Sequence, residues 1–450
     1  MPLSKEEQAQ FDYLSLSLQS SLVQTNYLND VYEGVERLKQ LGLSIPQELE
    51  QFTVWLGWPA TTVDSIEERL DVQGFRMPGQ PADKSLWDVW QYNNMDERQT
   101  FAHTDALALA RSYVCVGTND VDREFPLISV ESPTEMIATR DPRTHRVTAA
   151  LRMYDLVDGQ TNRATFYLPN RTYWLIRDNG RWINEFEPDV HNLGTVPVVP
   201  FVNRNRATAR KDARFEGVSE MMRVIPIAES ASRALTGLQL AQETVAAPQR
   251  GILGATKGDF VGQDGQPLGA WQAYFGAVWA MGNKDAKTFQ FDAADLSNWD
   301  SALNMYARQA SGLTGLPVEY FGLNTQNPPS ADGQRAGETR LIKRAERRQT
   351  PFGHGWESVQ RLVIRFRDGE WSDEARQMET IWRDAGTPTV AQVTDAVVKR
   401  YQTGLIDWET AQERLGESPA AIEQMKTRRL ADSEMALGFG VQQANDNPEG

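Results

Sequence analysis

Apolar positions in the first part of the chain recur at the spacing of amphipathic helices. The stretches LVQTNYLNDVYEGVERLKQLG and TTVDSIEERLDV both place apolar side chains three and four residues apart. These side chains are Leu28, Val31, Tyr32, Val35 and Leu38 in the first stretch, and Val63, Ile66 and Leu70 in the second. The pattern predicts that residues 1 to about 120 are mainly helical. The acidic residues of the second stretch are expected to form a solvated helix face, and they are Asp64, Glu67, Glu68 and Asp71.

The apolar pattern changes to a period of two between Phe125 and Asn203. Alternation of this kind is typical of half-buried strands. The alternating segments are FPLISVES, RVTAALRMYDLV, RATFYLP, RTYWLIRDNGRWINEF and TVPVVPFVN. Asp-Asn-Gly at 178–180 and Asp-Gly-Gln at 158–160 are signals for tight hairpin turns. Together they predict an antiparallel meander of about five strands.

Helical spacing returns in two long segments that bracket a stretch rich in glycine and aromatic residues. The first runs from Gly217 to Val245 and is interrupted by Pro226, so we expect a kink or a split there. The second runs from Ser297 to Leu313 and carries its apolar residues in one narrow stripe. Residues 250–292 between them are expected to form short strands and turns.

A strongly basic stretch follows, QRAGETRLIKRAERRQ, with six basic side chains against two acidic ones. The basic residues are Arg335, Arg340, Lys343, Arg344, Arg347 and Arg348. They could bind DNA phosphates or the acidic face of another protein; equally, they could form a charged helix surface paired with Glu338 and Glu346. We expect Pro351 to end this helix and WESVQRLVIRF to begin another. The rest should form short helices, and the C-terminal tail should be disordered.

Charge and cysteine usage narrow the possible functions. The net charge of −15 disfavours simple nucleic-acid affinity, because proteins that hold DNA by its phosphates normally carry excess Lys and Arg. The single cysteine, Cys115, lies in an apolar run and is expected to be a buried thiol in a reducing compartment. No signal peptide is evident, and the uncharged run GQPLGAWQAYFGAVWAMGN contains too many Gly, Gln and Asn residues for a membrane span.

Motifs for catalysis, metals and cofactors are missing from the sequence. There is no Gly-Lys phosphate loop, no H-E-x-x-H and no G-x-S-x-G, and the four histidines are widely scattered. We therefore expect no catalytic residue, no metal and no cofactor, although the 61 acidic residues leave a metal-dependent hydrolase open. The aromatics Trp271, Tyr274, Phe275 and Trp279 could line a ligand pocket, but we favour a contact with a neighbouring subunit or adaptor. Short irregular segments rarely bury four large rings within their own chain.

Six segments in a fixed order resemble one protein family. They are VDSIEERLDVQGFR, EGVSEMMRVIPIAESASRAL, AQETVAAPQRGILG, FDAADLSNWDSALNMYARQASGLTGLPVEYFG, SADGQRAGETRLIKRAERRQTPFGHGWESVQRL and IWRDAGTPTVAQVTDAVVKRYQTG. The chain resembles the portal proteins of tailed bacteriophages, in the group similar to the portals of long-tailed phages of Gram-positive hosts. The resemblance covers nearly the whole length of the chain.

The resemblance implies an α+β, mainly helical portal fold with wing, stem, clip and crown parts, which assembles into a ring. The expected segments are a wing (1–215), a first stem helix (216–249), a clip (250–292), a second stem helix (293–316), a tunnel loop (317–333), a long helix returning to the wing (334–368), crown-like helices (369–435) and a disordered tail (436–450).

The resemblance also implies a function without catalysis. A ring, typically of about twelve copies, would form the channel at one capsid vertex through which double-stranded viral DNA is packaged and ejected without sequence specificity. Expected partners are the terminase large subunit, the head–tail adaptor, and the major capsid and scaffold proteins, with no membrane. The protein would reside in the virion, and in the host cytoplasm during assembly. The alternatives are another ring of the head–tail connector and a metal-dependent nucleic-acid hydrolase.

The tunnel loop is the segment that the resemblance assigns to the DNA channel. Its central residues are polar but uncharged or are prolines: Asn324, Thr325, Gln326, Asn327, Pro328, Pro329 and Ser330. Because each cation that contacts a phosphate adds affinity, a loop without cations is expected to let DNA slide with little friction. Gly333 and Gly337 depart from the family pattern, and each costs a helix up to ~1 kcal/mol relative to alanine. The helix start after the loop is therefore expected to fray.

Overall fold

The computed structural model describes residues 3–35, 53–157, 159–204, 217–245, 250–253, 287–290, 297–323, 331–386 and 390–431. The chain divides into two compact units. The larger comprises residues 1–36, 57–228 and 310–450, and the smaller comprises residues 37–56 and 229–309. Helices and antiparallel strands are both present and helices predominate, which confirms the predicted α+β, mainly helical class.

The helices are numbered in chain order. They are α1 (Lys5–Tyr32), α2 (Trp58–Glu67), α3 (Lys84–Tyr92), α4 (Met95–Ala108), α5 (Ile225–Val245), α6 (Ser297–Thr314), α7 (Ala331–Asp368), α8 (Val390–Gln402) and α9 (Trp408–Leu415), and residues 419–431 are helical as well. Helix α1 begins at a capping box in which Ser4 and Glu7 each accept the other's backbone N–H. It ends at Tyr32, earlier than the apolar spacing predicted, and the exposed Val35 lies beyond it.

In the described part of the chain the strands form four antiparallel arrangements. They are β1 (Val72–Arg76), β2 (Arg111–Gly117), β3 (Leu127–Glu131), β4 (Met136–Arg140), β5 (Val147–Val157), β6 (Gln160–Tyr167), β7 (Thr172–Asp178), β8 (Arg181–Asn184), β9 (Val198–Val202), β10 (Arg250–Leu253), β11 (Lys287–Gln290) and β12 (Glu379–Trp382). The largest sheet has the order β4-β5-β6-β7-β8, and a second sheet has the order β3-β2-β9. Two further pairs join β1 to β12 and β10 to β11.

The predicted five-stranded meander exists, but its membership differs. Asn179 and Gly180 both have positive φ in the turn between β7 and β8, as the Asp-Asn-Gly signal predicted. The first strand of the meander is β4, which the sequence pattern missed, whereas the predicted outer strands β3 and β9 pair with β2 instead. Strand β2 lies in the region that was predicted to be mainly helical. The sequence pattern did not reveal it, because its continuous apolar run shows neither helical nor strand periodicity. The predicted turn at 158–160 includes a residue outside the described part.

One core forms between α1 and the five-stranded sheet. Phe11, Leu14 and Leu18 lie on one face of the helix and are buried against inward-facing residues of the sheet. The sheet residues include Ile137, Leu151, Ala164, Phe166, Tyr173 and Leu175. Phe11 meets Phe166 edge to face, with ring centroids 5.8 Å apart. The opposite side of the sheet packs around Cys115, and burial raises the pKa of that thiol far above its usual range, so the expected buried structural thiol is confirmed.

A second core is aromatic and surrounds the middle of α7. Trp356 meets Trp90 edge to face, with ring centroids 4.9 Å apart. It also lies tilted against Phe201, with ring centroids 4.6 Å apart. Its indole Nε1 donates to Nε2 of the fully buried His103 at 2.9 Å. Burial lowers the pKa of His103 to about 3, so the imidazole is neutral and accepts this hydrogen bond. His103 is thus part of the packing of the core.

Two prolines test the predicted helix boundaries. A short 3₁₀ helix, Glu220–Arg223, precedes α5, and Pro226 lies in the first turn of α5, where its missing N–H has no intrahelical partner to lose. The predicted split at Pro226 is confirmed. The predicted stop at Pro351 is wrong, since α7 continues through it. A proline inside a helix costs ~3 kcal/mol, which is offset by burial of Leu341, Ala345, Phe352, Trp356 and Val359 on either side.

The acidic face predicted on α2 is only partly solvated. Glu68 is exposed, but Asp64, Glu67 and Asp71 are partly buried, and the Tyr32 hydroxyl donates to Asp64 Oδ1 at 2.9 Å. Burial raises the pKa of Glu67 to about 7, and the neighbouring carboxylates of Asp71, Asp64 and Glu68 add to the rise. The expectation of a solvated face is therefore wrong for three of the four residues. Helix α1 packs against α2 and partly covers the acidic face that the helical pattern predicted to be exposed.

Candidate functional site

The structure describes the surroundings of the predicted site and part of its residues. The predicted tunnel-loop residues 324–330 and the clip aromatics Trp271, Tyr274, Phe275 and Trp279 lie outside the described residues, so their roles stay predictions. The same holds for the side chain of Arg335. The other five basic side chains of the segment all lie on α7.

Two of the arginines predicted to contact DNA or a neighbouring subunit bind a buried glutamate. Glu220 is 1% exposed in its side chain and lies in the 3₁₀ turn that precedes α5. Arg348 donates to Glu220 Oε1 from Nη2 at 2.6 Å and from Nε at 3.1 Å. Arg344 Nη2 donates to Oε2, and Arg204 Nη1 lies 3.8 Å from the same oxygen. We call Glu220, Arg204, Arg344 and Arg348 the Glu220 cluster.

The charges of the Glu220 cluster determine its ionisation. Burial alone would raise the pKa of Glu220, but the Coulombic attraction of Arg348 and Arg344 and the hydrogen bond from Arg348 outweigh burial and lower it. Glu220 is therefore ionised at neutral pH. Burial lowers the pKa of Arg204, and the attraction of Glu220 opposes this effect. Three guanidinium groups share one carboxylate, so removal of that carboxylate would leave partly buried cations without compensation.

The side chain of Asn203 and the close backbone approach at Gly217 fix the Glu220 cluster to the end of β9. Asn203 Nδ2 donates to Glu220 Oε1 at 3.1 Å and to the carbonyl of Val218 at 2.7 Å. Gly217 has φ +80°, and a Cβ there would lie 2.4 Å from the carbonyl oxygen of Ala110. Only glycine suits both this conformation and this close approach. The chain therefore returns to the start of α5 in one defined position.

The remaining basic side chains of α7 have different surroundings. Lys343 and Glu346 form an exposed pair one turn apart, as predicted. Arg340 Nη1 donates to the carbonyl of Gly312 at 3.4 Å, and Arg347 is exposed. The DNA or subunit contact assigned to these residues stays a prediction. Sequence reasoning missed Glu220 and Arg204, and the available signal was a lone acidic residue inside the apolar stretch GVSEMMRVIPIA.

The chain before the predicted loop is held by local hydrogen bonds and by α7. Helix α6 ends at Thr314, and Ser311 Oγ donates to the carbonyl of Leu316 at 2.7 Å. Gly315 has φ +72°, and a Cβ there would lie 2.6 Å from Arg340 Cδ, so the arginine lies flat over the glycine. A 3₁₀ helix, Val318–Phe321, follows and precedes residues 324–330 of the predicted tunnel loop.

Metal centres and membrane spans are two further kinds of site to consider in the described part of the chain. Within it, no group of three or more His, Cys, Asp or Glu side chains is arranged to hold a metal ion. None of its helices combines the length and the apolar character that crossing a membrane requires.

Known proteins similar to this chain share one family. Residues 20–434 match the family described as phage portal protein, SPP1 Gp6-like. The portal protein of Mycobacterium phage D29 is 38% identical over 425 residues, covering 91% of this chain and 85% of that protein. The portal protein of Mycobacterium phage L5 is 37% identical over 425 residues, with the same coverage of 91% and 85%.

Two solved chains that align with this chain come from gene transfer agent particles. A chain in the neck of an empty particle computed with C6 symmetry aligns with a TM-score of 0.45 at 13% identity, covering 84% of this chain and 95% of its own. A chain in the virion of a native particle aligns with a TM-score of 0.41 at 14% identity, covering 80% and 89%.

The chain belongs to the SPP1 Gp6-like phage portal protein family. Portal proteins are structural components of the virion and form the channel at a capsid vertex. The predicted family and the predicted role as the portal protein that forms this channel are thereby confirmed.

Proposed function

We propose that about twelve copies of the chain assemble into a closed ring, and that double-stranded DNA passes along its axis without sequence specificity during packaging and ejection. Family membership over residues 20–434 carries the proposal. When each copy contacts the next through a heterologous interface, the copies form a closed ring if the rotations between them add up to a full turn. In this proposal the centre of the ring is an axial channel.

In this proposal α5 and α6 belong to the two stem helices, and residues 250–292, which include β10 and β11, form the clip. The helices have 21 and 18 residues, so they span about 30 Å and about 27 Å. They approach closely: a Cβ on Gly237 would lie 2.6 Å from the ring of Trp299. Strands β10 and β11 pair from Arg250↔Gln290 to Leu253↔Lys287, so the chain leaves and re-enters this region at one place. That arrangement supports a separate clip built from the residues between them.

The proposed partners follow from the same role. The clip would bind the terminase large subunit during packaging and the head–tail adaptor afterwards, and the wing would contact major capsid and scaffold proteins. The chain itself would not be an enzyme, because ATP hydrolysis would belong to the terminase. Assembly would take place in the host cytoplasm, and residues 324–330 would face the DNA.

The proposal is tested by the mass and rotational symmetry of the purified full-length protein, by light scattering and negative-stain class averages. We expect a ring of about twelve or thirteen copies with an open axial channel. If the protein is a monomer, the measurement is repeated with scaffold protein present. A closed dimer or tetramer without a channel, or a monomer in both conditions, would contradict the proposal.

A further inference from the structure

A buried arginine connects the residues on the two sides of segment 324–330. Arg69 follows the end of α2, and its side chain is 7% exposed. Its Nη1 donates to the carbonyl of Ser65 at 3.1 Å, and its Nη2 lies 3.4 Å from Glu338 Oε2 on α7. The Tyr320 hydroxyl donates to the other oxygen of Glu338 at 3.3 Å. One carboxylate therefore joins the 3₁₀ turn before the segment, the helix after it and the end of α2.

Apolar packing holds the same 3₁₀ turn in place. Phe321 is buried and meets Trp58 of α2 edge to face, with ring centroids 5.5 Å apart. Leu316 and Leu341 are buried as well. The polar contacts therefore act on a segment that is already packed against α2, and they determine how α7 is placed relative to it.

The contact between Arg69 and Glu338 depends on the negative charge of the glutamate. Arg69 is nearly buried and carries a guanidinium group, which requires a negative partner when it is removed from water. Charge-assisted hydrogen bonds of this type are stronger than neutral ones. Replacement of Glu338 by glutamine would keep the shape of the side chain but leave the Arg69 cation with a weaker partner.

We propose that Arg69, Glu338 and Tyr320 form a clamp that fixes the root of the DNA-facing loop, and that they are positioning residues for DNA passage. This rests on the proposed function, in which residues 324–330 face the DNA. Residues 331–337 of α7 lie between the clamp and the loop, a rise of about 10 Å along the helix.

The test is hydrogen exchange by mass spectrometry on the full-length protein without DNA. We expect Glu338→Gln to accelerate exchange in residues 316–323 and 331–341 by about tenfold. The matched control is Glu346→Gln, the same change on the same helix at an exposed pair with Lys343, which should leave these segments unchanged. Tyr320→Phe removes a single hydrogen bond and should accelerate exchange by a smaller factor, and it serves if Glu338→Gln does not fold.

The proposal is overturned if neither variant exchanges faster than wild type, or if Glu346→Gln has the same effect. The second readout is the rate of DNA packaging in vitro, which the clamp variants should lower and Glu346→Gln should not. Faster exchange with an unchanged packaging rate would overturn the positioning role. Failure of the proposed function would show separately, as a wild-type protein that forms no ring with an axial channel.

Discussion

Glu220 is a residue whose importance comes entirely from tertiary contacts. Most of its neighbours in sequence are apolar, and its partners Arg344 and Arg348 lie 124 and 128 residues away. Nothing in the local pattern could have predicted these pairs, because helical spacing identifies which residues share a face but not what that face contacts. The basic pattern of this segment suggested that the arginines contact DNA or another subunit, which stays a prediction, and both side chains also bind Glu220 within the chain.

Replacement of Glu220 by glutamine should destabilise the start of α5 by about 3 kcal/mol, since Arg344 and Arg348 lose their counter-charge in a buried place. Hydrogen exchange of residues 217–230 would measure the loss. The pKa of Glu220 is lowered in the fold, so the wild-type advantage should be present above pH ~4.5 and disappear as pH falls through the folded pKa. Glu346→Gln is the control and should change stability by less than ~0.5 kcal/mol. Equal protection in Glu220→Gln and wild type would contradict the account.

Glu67 should have the opposite pH dependence. Its pKa is raised to about 7 in the fold from the ordinary glutamate value of 4.5, so the folded state favours the protonated carboxyl. This contribution to stability is fully present below pH ~4.5 and is lost as pH rises through ~7. We expect Glu67→Gln to be more stable than wild type by about 1–2 kcal/mol at pH 8, after allowance for solvent screening, and similar to it at pH 4.

Thermal unfolding of the Glu67 variant at the two pH values checks this expectation. The exposed Glu417 provides the control, and Glu417→Gln should behave as wild type at both pH values. A Glu67 variant with the same midpoint as wild type at pH 8 would show that the carboxylate is adequately solvated or paired.

Among the elements, those with a strong local pattern were predicted best. The hairpin at Asn179 and Gly180 and the second long helix match the sequence closely. The missed strands, β1, β2, β4 and β12, are short or lack alternation, and some of them pair with partners distant in sequence, as β12 does with β1. Continuation of α7 through Pro351 likewise depends on tertiary burial, which outweighs the local penalty.

Two glycines of α7 should respond to the same substitution with opposite signs. A Cβ at Gly355 would lie 2.8 Å from the ring of Phe201, so Gly355→Ala should destabilise the protein by about 1–3 kcal/mol. Apart from its chain neighbours and the backbone of its own helix, no atom lies within 4 Å of a Cβ at Gly337, so Gly337→Ala should stabilise the helix by up to ~1 kcal/mol. Calorimetric unfolding of the two variants beside wild type would measure both effects. A stabilised Gly355→Ala would mean that the aromatic core has room to adjust.

For the whole molecule, the sequence predicted more of the function than of the site. The order of six segments pointed to the portal family, and that membership is confirmed over residues 20–434. The boundaries of the wing, stem, clip and crown segments stay predictions. These parts are defined by their positions in the assembled ring, which depend on neighbouring copies as well as on the single chain. The net charge of −15 still bears on function, since an acidic ring would disfavour adhesion of DNA to its walls.

The absence of cations from residues 324–330 leads to a prediction about friction. Asn324→Lys combined with Gln326→Lys would add two cations per copy, and about twelve copies would present them together to the DNA. Each phosphate contact releases counterions and strengthens binding, so DNA should move more slowly past the loops. We expect a lower packaging rate in vitro, and a deficit that shrinks as salt concentration rises because counterion release then contributes less.

The control for this prediction is Asn324→Ser combined with Gln326→Ser, which changes the same positions without adding charge and should package at close to the wild-type rate. Both variants should form rings of wild-type mass, so that assembly does not account for any difference. A lysine variant that packages at the wild-type rate at low salt would show that residues 324–330 do not approach the phosphates. A deficit that does not depend on salt would indicate a steric obstacle rather than electrostatic friction, since only the electrostatic contribution falls with ionic strength.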